Sequence, residues 1–424
     1  MKLIIKPKAL LFSFALFMLI MQVVIQESVG IVKYYDEFIT VVFILNLMLT
    51  AHKGIKKDII IDLVLIFFIA LLGILGNIVN NVQSSYTAII TDLGNMFKAF
   101  VSFAVVYMYF TRNDKRITNY YTFRYLNAFC RILVVPGVFL AAVNLVKDIG
   151  MHTEYVNGVR AFHYIFLRVG NLSFVCVSCL IIMTMAMQEM KKRERIVQTV
   201  FIVLTLLLLV STLRARAIIF TIIYIIGYFH FVLGKKVKLR AWQVILVAAV
   251  GLYIGYPKLS LYFGNDTAAR GVLLRFGYKT AVKYFPLGAG FASYGTFAAR
   301  QYWSPLYTTY NFNNYYGLDR KWGGFLTDDY WPAIMAEFGF FGAILMLILI
   351  IRITVTCITS TSSNQIARFA AVFGITSMII SSFVSGSFFH TTSVLLMTLI
   401  AMSATNKKLE ENHGNILKFN KRIT

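Results

Sequence analysis

Asp328 and Asp329 stand side by side just ahead of an apolar run that opens with Tyr330-Trp331-Pro332. Two adjacent acids at the edge of a low-dielectric region tend to raise one carboxyl's pKa, which suits a general base working near neutral pH. The same stretch also reads as a helix start, with Thr327 or Asp328 as the cap and proline in the first turn. His390, between the last two apolar runs, is a second candidate proton acceptor with an unperturbed pKa near 6.5. It also reads as a hydrogen-bonded turn residue, and His152 and His163 are open to the same two readings. The arginines suggest a partner for such a base. Arg214 and Arg216 lie in STLRARAIIF, where two apolar runs meet; Arg168 opens another run; Arg270 and Arg275 lie on a short helix expected over 268–284. A guanidinium donates two parallel hydrogen bonds and stays charged, so several at one level can hold a diphosphate. Taken singly, each would snorkel to headgroups or pair with a carboxylate.

Other charges lie inside apolar runs. Asp92 and Lys98 share one run and are expected to pair, and Glu337, about two turns beyond Asp329, is expected to meet a buried arginine. Cys176 and Cys179 spell CxxC with no second pair and no nearby histidine, so neither zinc nor redox chemistry is expected. HExxH, GxSxG and GxxxxGK[ST] are absent. The chemistry is therefore expected to need no metal, no cofactor and no ATP.

These residues sit in a chain of 424 residues that is 58% hydrophobic and 14% charged, with a mean hydropathy of +0.72. A soluble domain is nearer 45–50% apolar and about 25% charged, so a soluble enzyme is excluded. The apolar runs are long enough to cross a hydrocarbon core about 30 Å thick. Twelve spans are expected, at 9–26, 38–51, 59–78, 88–110, 126–146, 169–188, 196–212, 217–233, 241–256, 331–351, 369–388 and 391–405. The fold class is thus an all-α polytopic membrane protein. A net charge of +23 would raise nucleic acid in a soluble chain, but here lysines and arginines cluster in alternate loops, which marks the cytoplasmic side. No nucleic-acid partner is expected, and the lipid bilayer is. Both termini are expected in the cytoplasm, with the first span retained rather than cleaved. The organisation is 1–256 for helices one to nine, 257–330 for a large external loop, 331–405 for helices ten to twelve, and 406–424 for a cytoplasmic tail. The loop is rich in tyrosine, tryptophan and phenylalanine, Tyr307 among them, so it should fold. Those rings suit sugar stacking or headgroup packing equally.

Within that loop and the run after it, Arg270, Arg275, YFPLGAGFASYG (284–295), YWSPLY (302–307), Tyr316-Gly317-Leu318 and TDDYWPAIMAEFGFFG (327–342) resemble the O-antigen polymerase/ligase family, the Wzy-type polysaccharide polymerases and their relatives. STLRARAIIF is similar to the arginine-bearing helix start upstream in that family. The resemblance implies a GT-C-like membrane glycosyltransferase with one large folded external loop. It would sit in a bacterial cytoplasmic (inner) membrane and act without metal on undecaprenyl-diphosphate-linked glycans of O-antigen, lipopolysaccharide or capsule, with a chain-length regulator as a possible partner protein. It further implies that Arg214 or Arg216, with Arg270 and Arg275, holds the donor diphosphate, and that an acid or histidine deprotonates the acceptor hydroxyl; Arg168, from its place at the start of a run, and Tyr307, as a loop aromatic, are expected as further substrate contacts. The ligase branch has a His-Asn pair where this chain has Asp328-Asp329, a departure that favours a polymerase. The competing expectations are a lipid-linked oligosaccharide flippase and an O-antigen ligase. A flippase would place its charges nearer the midplane.

Overall fold

The computed structural model describes residues 6–50, 52, 54, 56–111, 116–156, 158–234, 267–360 and 364–405. The expected span 241–256, the first part of the expected loop (257–266) and the tail 406–424 lie outside these residues. In chain order the helices are α1 (Pro7–Ile25), α2 (Tyr35–Thr50), α3 (Lys57–Asn80), α4 (Tyr86–Phe110) and α5 (Arg116–Val146). An antiparallel hairpin of β1 (His152–Val156) and β2 (Val159–Phe162) follows. Then come α6 (Val169–Ala186), α7 (Lys192–Val210), α8 (Ala215–Gly227, continued by a π turn at Tyr228–Val232), α9 (Ala269–Lys283), α10 (Phe297–Gln301), α11 (Pro305–Thr309), α12 (Tyr330–Thr359), α13 (Gln365–Ser382) and α14 (Thr392–Ala404).

The chain is a polytopic, almost wholly helical membrane protein, but the expected twelve crossings are not all matched. Among the described residues, 8 helices are long and apolar enough to cross a membrane: α1, α3, α4, α5, α6, α8 with its π turn, α12 and α13. The reason lies in length and charge. A crossing helix needs roughly 20 apolar residues, whereas α2 has 16 and α14 has 13. α7 opens on Lys192, Arg193, Glu194 and Arg195.

Burial separates the helices into inner and outer positions. α6 and α14 are buried on nearly every face and, with α4, form the centre of the main core. α14 packs along α4 and also touches α13 and α6. α1, α3 and α5 bury one stripe and expose apolar residues such as Leu11, Phe67, Phe68, Ile132 and Phe139 on the other. An apolar outer face is what a helix presents to lipid, so these positions fit embedding in a bilayer.

Buried charges pair differently from expectation. Lys98 of α4 does not meet Asp92. Its ammonium donates to Asp36 Oδ2 (2.5 Å), Glu37 Oε1 (3.1 Å) and Asn95 Oδ1 (2.7 Å), and Gln22 donates to the other Asp36 oxygen at 2.6 Å. Asp36 and Glu37 lie in the first turn of α2, where the helix dipole favours negative charge. Glu337 meets no arginine; its carboxylate accepts from backbone N–H groups of 293 and 294.

Residues 267–329 carry their own buried cluster. Tyr294, Tyr307, Phe312, Leu318 and Leu326 are among its fully buried members. Tyr307 stacks on Phe312 with centroids 5.0 Å apart, and Phe276 on Tyr310 at 4.6 Å. Much of the aromatic content of this segment therefore fills its interior, an outcome that composition left open. Tyr316 and Trp322 remain well exposed.

Candidate active site

Asp329 is the cap residue of α12, with extended backbone, yet its side chain makes no capping hydrogen bond. The cap reading of Thr327 or Asp328 is thus corrected on both counts: the cap is Asp329, and its carboxyl is directed elsewhere. Arg270, in the first turn of α9, reaches both acids. Its Nη2 lies 3.5 Å from Asp328 Oδ2 and its Nε 3.8 Å from Asp329 Oδ1. The same Nη2 donates to the Val384 carbonyl at 3.0 Å, which ties the pair to the turn between α13 and α14.

That turn is the hub of the site. Arg216, in the first turn of α8, donates from Nη1 to Ser385 Oγ at 3.1 Å, and Trp331 Nε1 donates to Ser382 Oγ at 3.1 Å. The Arg216 guanidinium lies over the Phe174 ring, 5.0 Å from its centroid, and His390 stacks on Phe174 with centroids 5.8 Å apart. Phe174 of α6 thus contacts both groups. A Cβ on Gly170 would stand 2.9 Å from Arg216 Nη2, so the backbone of α6 leaves room for that side chain. Arg214 and Arg270 are the cations, and Asp328 the anion, that act on Arg216 most strongly.

The remaining candidates are dispersed. Arg214 forms an ion pair with Glu154 of β1 at 2.9 Å, both side chains being partly exposed. Its charge still reaches Asp328. Arg168 is the exposed cap of α6, and its charge reaches His390. Arg275 is exposed, more than a turn beyond Arg270 along α9, with its guanidinium over the Phe276 ring at 5.3 Å. Tyr307 is wholly buried in the segment core, where its hydroxyl accepts from the Gly295 N–H at 2.8 Å. His152 contacts Asp148 at 3.2 Å, and His163 Nδ1 lies 2.7 Å from the Tyr164 carbonyl oxygen.

Electrostatics separates the candidate bases. Burial raises Asp329 to about 7; Arg270 pulls it down and Asp328 pushes it up. Burial also raises Asp328, against the opposing charges of Arg270, Arg214 and Arg216. His390 is lowered to about 4, first by burial and then by the positive charges of Lys98 and Arg216. Its Nδ1 lies 3.0 Å from Thr392 Oγ1 and accepts from the Thr392 N–H at 3.4 Å. That assigns the ring proton to Nε2, so neutral His390 offers a donor rather than a base at its other nitrogen. A base works best when its pKa lies near the working pH, and by that test Asp329 is better matched than His390.

The sequence did not single out Val384, Ser385 or Phe174. The available signal was Ser381-Ser382 followed by Ser385-Gly386-Ser387, a small polar run between apolar helices. Among the described residues no group of three or more His, Cys, Asp or Glu stands close enough to hold a metal ion. The arrangement offers a carboxyl that can gain or lose a proton near neutral pH, beside guanidinium groups able to receive developing negative charge. Scanned against protein-family models, the chain matches none, and a search of curated proteins also finds no match.

Proposed function

We propose that the chain is a membrane glycosyltransferase that joins oligosaccharide repeat units carried on undecaprenyl diphosphate, a polysaccharide polymerase of O-antigen or capsule. The observation that carries this reading is the Arg270 bridge to Asp328 and Asp329, with Arg216 beside it. The resemblance of 284–295 and 327–342 to the polymerase family supports it from the sequence side.

In the proposed reaction Asp329 accepts the proton of an acceptor hydroxyl on one lipid-linked repeat unit. The hydroxyl oxygen attacks the anomeric carbon of the glycan on a second lipid. The bond from that carbon to the diphosphate oxygen breaks, and undecaprenyl diphosphate leaves with the electron pair. Arg216 and Arg270 stabilise the charge that gathers on the leaving group, the kind of interaction that usually contributes most in such sites. Asp329 is preferred over His390 because its pKa of about 7 matches the task and because the histidine's Nδ1 is engaged by Thr392.

Purified protein given synthetic lipid-linked repeat units is expected to make polymer, and Asp329→Asn to bind the substrate yet elongate little. Movement of the lipid across vesicles without polymer would instead establish a flippase, and transfer of finished glycan to a different acceptor a ligase. The reaction is placed on the outer side of a bacterial cytoplasmic membrane, with both termini inside. Because all four native cysteines are buried, Lys321→Cys gives a clean topological probe. Labelling of intact cells by an impermeant thiol reagent is expected at that exposed position, and its absence would reverse the orientation.

A further inference from the structure

The chain from Gly288 to Thr296 is buried at every residue, in neither helix nor strand, and contacts α3, α4 and α12. These are three of the helices long enough to cross a membrane. Irregular backbone among such helices is tolerated only where protein groups satisfy its N–H and C=O groups. Here they do so in order. Asn80 donates to the Gly288 carbonyl (2.7 Å), Asn77 brackets both backbone groups of Phe291 (3.0 and 2.8 Å), and Gln83 donates to the Ala292 carbonyl (3.2 Å). The N–H groups of Ala289 and Gly290 reach the carbonyls of Ala336 and Glu337 at 2.8 and 2.9 Å. Those carbonyls lie beside the break in α12 at Gly339, which has φ 65. Gly290 admits no larger residue, since a Cβ would stand 2.5 Å from the Asn77 nitrogen.

The Gly288 N–H donates to the Tyr284 carbonyl and that of Gly295 to the Tyr307 hydroxyl, and between them stand three consecutive N–H groups, on Ala292, Ser293 and Tyr294. They point at carboxylates: Ala292 donates to Asp92 Oδ2 at 2.6 Å, while Ser293 and Tyr294 donate to Glu337 Oε1 at 3.0 and 3.1 Å. Successive amides of this kind form an anion-binding nest. Asp92 and Glu337 are also in hydrogen-bonding contact with each other. Neither is open to solvent, and Glu337 Oε2 finds no donor in the protein. Two bare carboxylates in contact in a dry interior repel strongly. The nearest candidate for relief on α4, Lys98, has its three N–H donors directed at Asp36, Glu37 and Asn95.

We propose that one proton is held between Asp92 and Glu337, making the pair a carboxylic acid bonded to a carboxylate, and that this acid pair is the clasp that fixes 288–296 between α3, α4 and α12. Glu337 stands about two turns along α12 from Asp329, so both acids are positioning residues for the start of that helix. The proton supplies the missing donor to Glu337 Oε2 and leaves one negative charge facing three N–H groups.

The test compares neutral isosteres with truncations in the purified full chain. Glu337→Gln and Asp92→Asn each put an N–H where the shared proton stood, and are expected to stay monodisperse and as heat-resistant in detergent as the wild type. Glu337→Ala and Asp92→Ala, which leave the backbone N–H groups unpaired, are expected to aggregate. Infrared difference spectra of wild type against either amide variant at neutral pH should show the C=O stretch of a protonated carboxylic acid. Amide variants that fail as the alanine variants do, or a difference spectrum without that band, would overturn the proposal. Heat resistance of the wild type should not change when sodium is replaced by choline. A sodium-dependent stability that Glu337→Gln abolishes would place a small cation between the carboxyls and overturn it as well.

Discussion

α12 takes part in two acidic pairs, and they are answered in opposite ways. At its start, Asp328 and Asp329 face the guanidinium of Arg270, with Arg216 and Arg214 further out. Two turns on, Glu337 and Asp92 face three backbone N–H groups and each other. Arginine side chains can change partners, so in the proposed reaction the first pair would release a guanidinium to the leaving group and a carboxylate to the acceptor hydroxyl. Backbone amides of a threaded segment cannot move without unpacking it. Carboxylates alone therefore do not mark a reactive site; what matters is whether their partners can be exchanged.

The largest effect that would sharpen this contrast is Glu337→Ala. It leaves the Ser293 and Tyr294 N–H groups and the Thr296 hydroxyl without the acceptor they share, and each buried unpaired group costs about 1–3 kcal/mol. Little folded protein is expected on size-exclusion chromatography. Wild-type yield together with a wild-type melting profile would break the contrast from the structural side.

Asp329→Asn is expected to act on turnover instead, lowering it by roughly 10²–10⁴-fold as loss of a general base does, with the protein still folded. If Asp329 is the base, turnover of the wild type should rise with pH through about 7 as the carboxyl ionises. The linked stability runs the other way. The folded state holds this proton more tightly than the unfolded chain, so stability falls as pH climbs from the ordinary carboxylate range to about 7. Asp329→Asn should remove Asp329's share of that slope and leave the part due to Asp328, which burial also raises. A variant that elongates normally, or a pH profile flat across that range, would shift the base elsewhere.

Arg270→Lys keeps the charge and loses the fork that bridges Asp328, Asp329 and the Val384 carbonyl. One charge-assisted hydrogen bond is worth about 1.5–3 kcal/mol, so turnover is expected to fall by roughly 10–100-fold. Polymer length at equal protein level reads it out. Arg214→Ala should be the mildest of the four, because its ion pair with Glu154 is partly exposed. Such pairs contribute about 0.2–1 kcal/mol, and a small change in melting temperature with near-normal polymer is expected. A loss as large as that of Arg270→Lys would bring Arg214 into the site.

Consecutive residues by themselves determined the class of the protein and the place of most helices. An apolar run long enough to span lipid is a property of neighbours in sequence, and so is the basic-residue clustering between runs. They also singled out Asp328, Asp329, Arg216 and Arg270, because charge beside an apolar run is conspicuous one residue at a time. The number of full-length crossings needed the structure, since fraying and cap positions decide whether a run becomes a helix of 13 or of 19 residues. Only tertiary packing gave Lys98 to Asp36 and Glu37 rather than to Asp92, and threaded 288–296 against Glu337. It also buried Tyr307 in the segment core and made the 382–391 turn the meeting point of Arg216, Arg270 and His390. In an apolar bundle a charged group must find a partner wherever one is within reach, and which partner that is depends on which helix faces meet, a relation between residues far apart in the chain.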